Sequence, residues 1–220
     1  MNLLKTYDDI TARLKATGDY IWPLALRLIM FWEFWEAGIS KYRGDNWFAD
    51  IPWADWQMGF PFPFNLLPVD LNWMLATWGE LVFSILILLG LFTRFAAFSL
   101  LVITVVATAA VHWPAEWNSL AELWNGYVIS PKGAGNFKLP LLFVLLLMPL
   151  IFHGGGKISL DYLLLGTRRR ALRNNITGDL AALSLGLLVL GVTTVFLLPI
   201  VGYAFLGLSL LTALAHIFIG

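Results

Sequence analysis

An all-α, polytopic membrane bundle is the fold this chain predicts, and three observations predict it. Of 220 residues, 59% are hydrophobic and 13% charged, against roughly 25% charged in soluble domains, so most of the length cannot form a water-facing surface. Apolar runs of about 20 residues, the length of helix that crosses ~30 Å of hydrocarbon, recur along the chain. Lys and Arg gather in alternate connecting segments, the asymmetry expected of spans with fixed orientation. The formal net charge is zero, so nothing points to nucleic acid or a broad acidic surface as partner; the bilayer is the partner. Cysteine is absent, which excludes disulfides, thiolate catalysis, thioether-linked haem and iron–sulfur ligation by this chain alone. Redox chemistry therefore needs a bound cofactor or another protein.

Taken in order, residues 1–19 predict an amphipathic helix. Leu3, Tyr7, Ile10 and Leu14 recur at helical spacing with Lys5, Arg13 and Lys15 elsewhere, which suits a helix lying on an anionic inner leaflet. The first apolar stretch is too long for a secretory signal and lacks a small-residue cleavage site, so it is expected to stay in the membrane. Spans are predicted at Tyr20–Lys41, Leu71–Phe92, Phe95–His112 and Phe137–Phe152, a four-helix core over 20–153. A basic cytoplasmic loop is expected over 154–179. The uncharged run from Leu180 to Ile219 would reach ~60 Å as one helix, and Pro199-Ile-Val-Gly202 breaks it. Residues 180–220 thus read as a transmembrane hairpin, about six spans in all; the alternative is one kinked helix with a buried tail.

With the N-terminus cytoplasmic, inside segments carry Lys5, Arg13, Lys15, Arg94, Lys157, Arg168, Arg169, Arg170 and Arg173. Outside segments carry Lys41, Arg43, Lys132 and Lys138. The Arg168–Arg170 run is thereby a topology signal rather than a nucleic-acid patch. Asn175-Ile-Thr177 matches a glycosylation acceptor but falls inside and is discounted.

Both outside segments are aromatic. Trp47, Phe48, Trp53, Trp56, Phe60, Phe62 and Phe64 are interleaved with Pro52, Pro61, Pro63 and Pro68, which prevent a long helix. They form either a belt at the headgroups or a lid over an apolar ligand such as a quinone or a lipid. Trp113, Trp117, Leu120, Trp124 and Tyr127 follow i, i+4, i+7, i+11, i+14 and predict a helix in the plane of the outer interface. Gly126 and the Ser130–Asn136 stretch break it before the fourth span.

Charge inside hydrophobic spans raises the question of function, since an intramembrane ionisable residue is a functional-site hypothesis by default. Arg27 lies towards the inner side or middle of span one and Glu80 near the middle of span two; they are expected to form a structural ion pair. Glu33 and Glu36 are about 60° apart on a 100° wheel, with Arg27 directed away from Glu36. Their candidate partners are therefore the outer-end residues Lys41, His112, Glu116 and Lys138, around a pocket opening outward. Neighbouring carboxylates favour sharing a proton, so Glu33 or Glu36 is a candidate proton relay. Glu80, His112, Lys41, Lys138 and Trp113 are candidate cofactor contacts. Glu33, Glu36, His112 and Glu116 also offer oxygen and nitrogen ligands for a divalent metal, without a recognised spacing. A purely structural pairing of the carboxylates with Lys41 is the bland alternative. His153 and His216, near inner span ends, take no role.

Arg27, Gly38 and Lys41 in span one, then Glu80 and Leu88-Leu-Gly-Leu-Phe-Thr-Arg94 closing span two, resemble the DoxX family of small bacterial inner-membrane proteins, with a four-span core. The similarity covers Ala25 to Phe152. More narrowly, Lys41–Phe64, Val111-His-Trp-Pro-Ala-Glu-Trp-Asn118 and Gly135-Asn-Phe-Lys-Leu-Pro-Leu141 resemble the HvfX-type branch, associated with maturation of copper-binding modified peptides. In the family small residues usually follow the span-two glutamate, where Val82, Phe83 and Ser84 stand here. The hairpin is an addition whose Gly186, Gly191, Gly202 and Gly207 allow close helix approach, for partner docking or oligomerisation. The resemblance implies a bacterial inner-membrane accessory protein of a redox or copper-peptide maturation system, with quinone or copper as candidate cofactor, a membrane or periplasmic partner, and electrons from a soluble protein. It supplies no established catalytic residue. The competing readings are a passive scaffold and a small metal or peptide transporter, the latter without the internal repeat that transport folds favour.

Overall fold

The computed structural model describes residues 3–50, 57, 60–114, 116–127, 135–172 and 180–219. Pro52, Trp53, Trp56, Lys132, Arg173 and Asn175-Ile-Thr177, named above, lie outside the described residues. Eight α-helices and no strand occur among those described: α1 Leu3–Arg43, α2 Val69–Leu89, α3 Thr93–Ala107, α4 Leu120–Trp124, α5 Lys138–His153, α6 Leu160–Leu172, α7 Leu180–Val195 and α8 Pro199–Ile219. A π-helical turn, Thr108–His112, extends α3. Three helices are long and apolar enough to cross a membrane: α2, α3 with its π turn, and α8. The apolar α5 and α7 have 16 residues each, about 24 Å at the rise of an α-helix. The chain is a multi-pass, all-helical membrane protein.

Three expectations change. The interfacial segment and the first span are one unbroken helix of 41 residues. Pro23 lies inside it and removes the donor that the Asp19 carbonyl would use, and the Lys157 N–H supplies a replacement at 3.1 Å. The in-plane aromatic helix shrinks to the five residues of α4, because Ser119 caps a new start by accepting from the Glu122 N–H, while the Glu122 carboxylate reaches back to the Asn118 N–H at 2.7 Å. Trp113 is extended instead. The expected basic loop contains α6, whose first-turn Asp161 lies at the N-terminal end of the helix dipole.

Helices α1, α2, α3 and α5 enclose the main core, with Met30, Ile87, Leu100, Leu101, Leu147 and Leu150 fully buried. The tight contact between α1 and α2 is set from α1. A Cβ on Gly38 would come within 2.9 Å of Leu81 and 3.2 Å of the Glu80 Cβ, so the small residue this crossing needs is Gly38 and not one following Glu80. The run after Leu180 is a hairpin, as read. Ser184 and Ser209 exchange hydrogen bonds across its seam, and Gly191 and Gly202 close it against Leu206 and Val195, whereas Gly186 and Gly207 meet nothing within 4 Å.

The expected Arg27–Glu80 ion pair does not form. The antiparallel register that sets Gly38 beside Glu80 sets Arg27 beside the last turn of α2. There the guanidinium donates to the carbonyls of Ile87 (2.8 Å), Leu88, Gly155 (3.1 Å) and Ile158. Gly90 ends α2 in the left-handed region at φ 65°, which favours glycine; any Cβ there would lie 2.7 Å from Arg27 Cζ. Asp161 completes the knot, its carboxylate accepting from the N–H groups of Phe92 and Thr93 at 2.9 Å. Arg27→Met should destabilise the protein by about 3 kcal/mol, since it strands four carbonyl acceptors, those of Ile87 and Gly155 buried, and Arg27→Lys should recover only part, because one ammonium cannot span both segments. Denaturant titration in detergent micelles measures both; an unchanged midpoint for Arg27→Met would refute the assignment.

Candidate functional site

A cavity of about 390 Å³ lies between the C-terminal end of α1, the first half of α2 and the last turns of α3. That volume falls within the range of small-molecule sites, roughly 300–1,000 Å³. Leu75, Ala76, Val102, Ile103, Val106 and Ala107 make its helical walls, and Trp47, Phe48, Phe64 and Leu67 of the segment between α1 and α2 cover it. Its polar groups are few: Lys41, Asn72, Glu80 and His112.

The cover is ordered by packing and by one amide. Phe48 and Phe60 are buried in a small second core with Ala109, and Phe48 meets Trp73 edge-on at 5.0 Å. Buried Gln57 donates to the carbonyls of Phe64, at 2.7 Å, and Leu67. Among the described residues of this aromatic segment, Phe48, Phe60 and Phe64 thus fold back over the helices.

Glu80 pairs with Lys41. Both carboxylate oxygens accept from Lys41 Nζ, at 2.9 and 2.8 Å, with side-chain exposures of 7% for Glu80 and 17% for Lys41. An isolated carboxylate in such a place is costly, and breaking a buried pair by removing one partner typically costs 3–5 kcal/mol. The geometry leaves one of the three ammonium N–H groups of Lys41 free of Glu80.

His112 reaches the cavity because α3 ends in a π-helical turn, a local widening often found at functional sites. Asn136 holds it twice: the Asn136 N–H donates to the His112 carbonyl at 2.9 Å, and the Asn136 side-chain oxygen contacts His112 Nδ1. With that oxygen as acceptor, Nδ1 carries the proton and Nε2 is the nitrogen left for a ligand.

The remaining candidates stand elsewhere. Glu33 and Glu36 are exposed on the side of α1 away from buried Phe34 and Gly38; at 100° per residue they lie about 100° and 160° from Phe34, and neither lines the cavity. Glu116 is exposed. Lys138 sits over the Tyr127 ring, 5.2 Å from its centre, and Trp113 packs on Phe137 at 5.0 Å. The expected convergence of Glu33, Glu36, Glu116 and Lys138 on one pocket therefore does not occur: the two α1 glutamates and Glu116 are exposed, and Lys138 lies over Tyr127. The candidate metal set fails with it: among the described residues no group of three His, Asp or Glu side chains is placed to hold a metal. Of the candidates, Lys41, Glu80 and His112 are brought together. Asn136 and Gln57 went unflagged, since neutral amides carry no charge signal; Asn136 does fall inside the Gly135–Leu141 motif quoted above.

The DoxX family profile matches residues 22–113, a stretch that contains Lys41, Glu80 and His112. An uncharacterized protein of Haemophilus influenzae is 41% identical over 152 residues, covering 69% of this chain and 89% of that one. No solved structure matches.

The ion pair makes a testable pattern. Lys41→Met should cost about 3–5 kcal/mol by leaving Glu80 unpaired, and Lys41→Met combined with Glu80→Leu should restore most of the loss. Equilibrium unfolding of the four proteins of this cycle measures the coupling, and additive losses would contradict the pairing.

Proposed function

We propose, for a chain that belongs to the DoxX family of membrane proteins, that the lidded cavity binds the ring of a quinone-type carrier, and that the protein is the membrane accessory subunit of a redox system. The observation that carries this reading is the composition of the cavity: apolar walls and an aromatic cover around a single charged pair and one histidine. A flat apolar ring with carbonyl oxygens needs walls of that kind and a few aimed donors. Lys41 is such a donor, His112 Nε2 is an acceptor for the hydroxyl of the reduced ring, and the volume admits the ring.

When bound, a quinone supplies two-electron, two-proton carrier chemistry. The chain's residues do the rest. Glu80 keeps the Lys41 ammonium in place, and the remaining N–H of Lys41 points a charge-assisted donor at a carbonyl oxygen. Asn136 fixes the tautomer of His112, which leaves Nε2 to accept or hand over a proton at the ligand. Trp47, Phe48 and Phe64 exclude water, which strengthens both interactions. Glu33 and Glu36 have no part in this route.

In the proposed orientation the N-terminus is cytoplasmic and the cavity opens at the outer face of a bacterial inner membrane. A membrane or periplasmic protein then supplies electrons. The narrower resemblance supports a partner in copper-peptide maturation, with copper handled by the peptide rather than by Glu33, Glu36, His112 and Glu116.

Protein in lipid nanodiscs should release quinone on organic extraction and bind a short-tailed ubiquinone analogue saturably. Val106→Trp, which fills the cavity, should abolish binding, and His112→Leu should weaken binding of the reduced, quinol form of the analogue about ten-fold, the worth of one ~1.4 kcal/mol hydrogen bond. Neither extractable quinone nor saturable binding in the unmodified protein would leave the passive scaffold as the better reading.

A further inference from the structure

The C-terminal hairpin lies beyond the four-helix core, yet its tip touches the lid. Phe196, in the turn between α7 and α8, meets Phe60 and Phe64 edge-on, each at 5.3 Å. Phe64 itself lines the cavity. Phe196 and Leu197 pack both on the main core and on the small core that holds Phe48 and Phe60, so this tip joins the lid to the bundle.

The tip is built to stay put. The N–H groups of Leu197 and Leu198 both donate to the Thr194 carbonyl, at 3.1 and 2.7 Å, and the Gly202 N–H donates to Leu198 at 2.9 Å. Helix α8 begins so close to α7 that a Cβ on Gly202 would lie 2.2 Å from the Val195 Cα. Lower down, the Ser184 and Ser209 hydroxyls lock the seam. The described parts of the lid are short 3-10 turns, Trp47–Asp50 and Phe64–Leu66, and the hairpin tip sets an aromatic ring beside them.

We propose that the hairpin is the lid's post, and that Phe196 is the positioning residue that sets how fast apolar molecules enter and leave the cavity. The inference rests on the cavity's being a ligand site, as proposed above, but not on the ligand's being a quinone.

The chain has no cysteine, so Ala76→Cys puts a single thiol on the cavity wall, and its rate of alkylation by N-ethylmaleimide in nanodiscs reads lid opening without reference to any ligand. In the Ala76→Cys protein this rate should be well below that of the unfolded chain. Adding Phe196→Ala should raise it at least ten-fold, Phe196→Leu should raise it less, and Leu210→Ala, at an exposed position of α8, should leave it unchanged. If Phe196→Ala fails to fold, Phe196→Leu carries the comparison. Equal rates with and without the Phe196 substitution, or a thiol at 76 as reactive as in the unfolded chain, would overturn the inference. A second arm separates it from the quinone reading: with no change at Ala76, the dissociation rate of the ubiquinone analogue should rise at least ten-fold in Phe196→Ala. Absent binding with the expected alkylation pattern sinks only the quinone. Unchanged dissociation of a bound analogue sinks only the role of Phe196.

Discussion

In hydrocarbon no water satisfies the last carbonyls of a helix, and the rest of this structure depends on how that demand is met at one end of the bundle. Arg27 meets it. Its planar, five-donor head spans the end of α2 and the loop before α6, something a compact ammonium cannot do. Arg94 does the same for α5, donating to the carbonyls of Ile151 and Phe152. The helices are pinned together at this end, and their register follows from the pin.

That register decides where the other charges fall. With Arg27 at the end of α2, the closest crossing of α1 and α2 comes at Gly38, and Glu80 then faces the C-terminal end of α1, where Lys41 waits. Beyond that crossing the helices leave room that no large side chain fills, and the aromatic segment covers it. One end of the bundle is sealed by arginines and the other holds a hollow with a single ion pair. The contrast is chemical as well as geometric: at the pinned end the Arg27 guanidinium spends its donors on four backbone carbonyls, whereas the hollow keeps an ammonium N–H and an imidazole nitrogen in reserve.

Much of this was legible in the sequence. Composition and run length gave the helical membrane class, Pro199 and Gly202 marked the hairpin turn, and the depth of Lys41, Glu80 and His112 suggested a shared site. Depth alone misassigned Arg27, because pairing by opposite sign ignores that a guanidinium can be satisfied by carbonyls, which every residue carries. Glu33 and Glu36 were misplaced for the opposite reason. The face they share is set by Phe34 and Gly38 packing inward, and that depends on which neighbour α1 meets. The continuity of α1 through Pro23 was not legible at all, since the donor that replaces the missing one comes from Lys157, more than a hundred residues away.

The hairpin whose tip touches the lid is made after the helices that hold the site. Chains emerge from the ribosome N-terminal end first, so the helices bearing Lys41, Glu80 and His112 enter the bilayer while the segment carrying Phe196 is still being translated. Until α7 and α8 arrive, sealed to each other by Ser184 and Ser209, the hollow has an aromatic cover with no post. With the hairpin as the post proposed above, this order lets a half-made chain be loaded easily and a finished one only slowly.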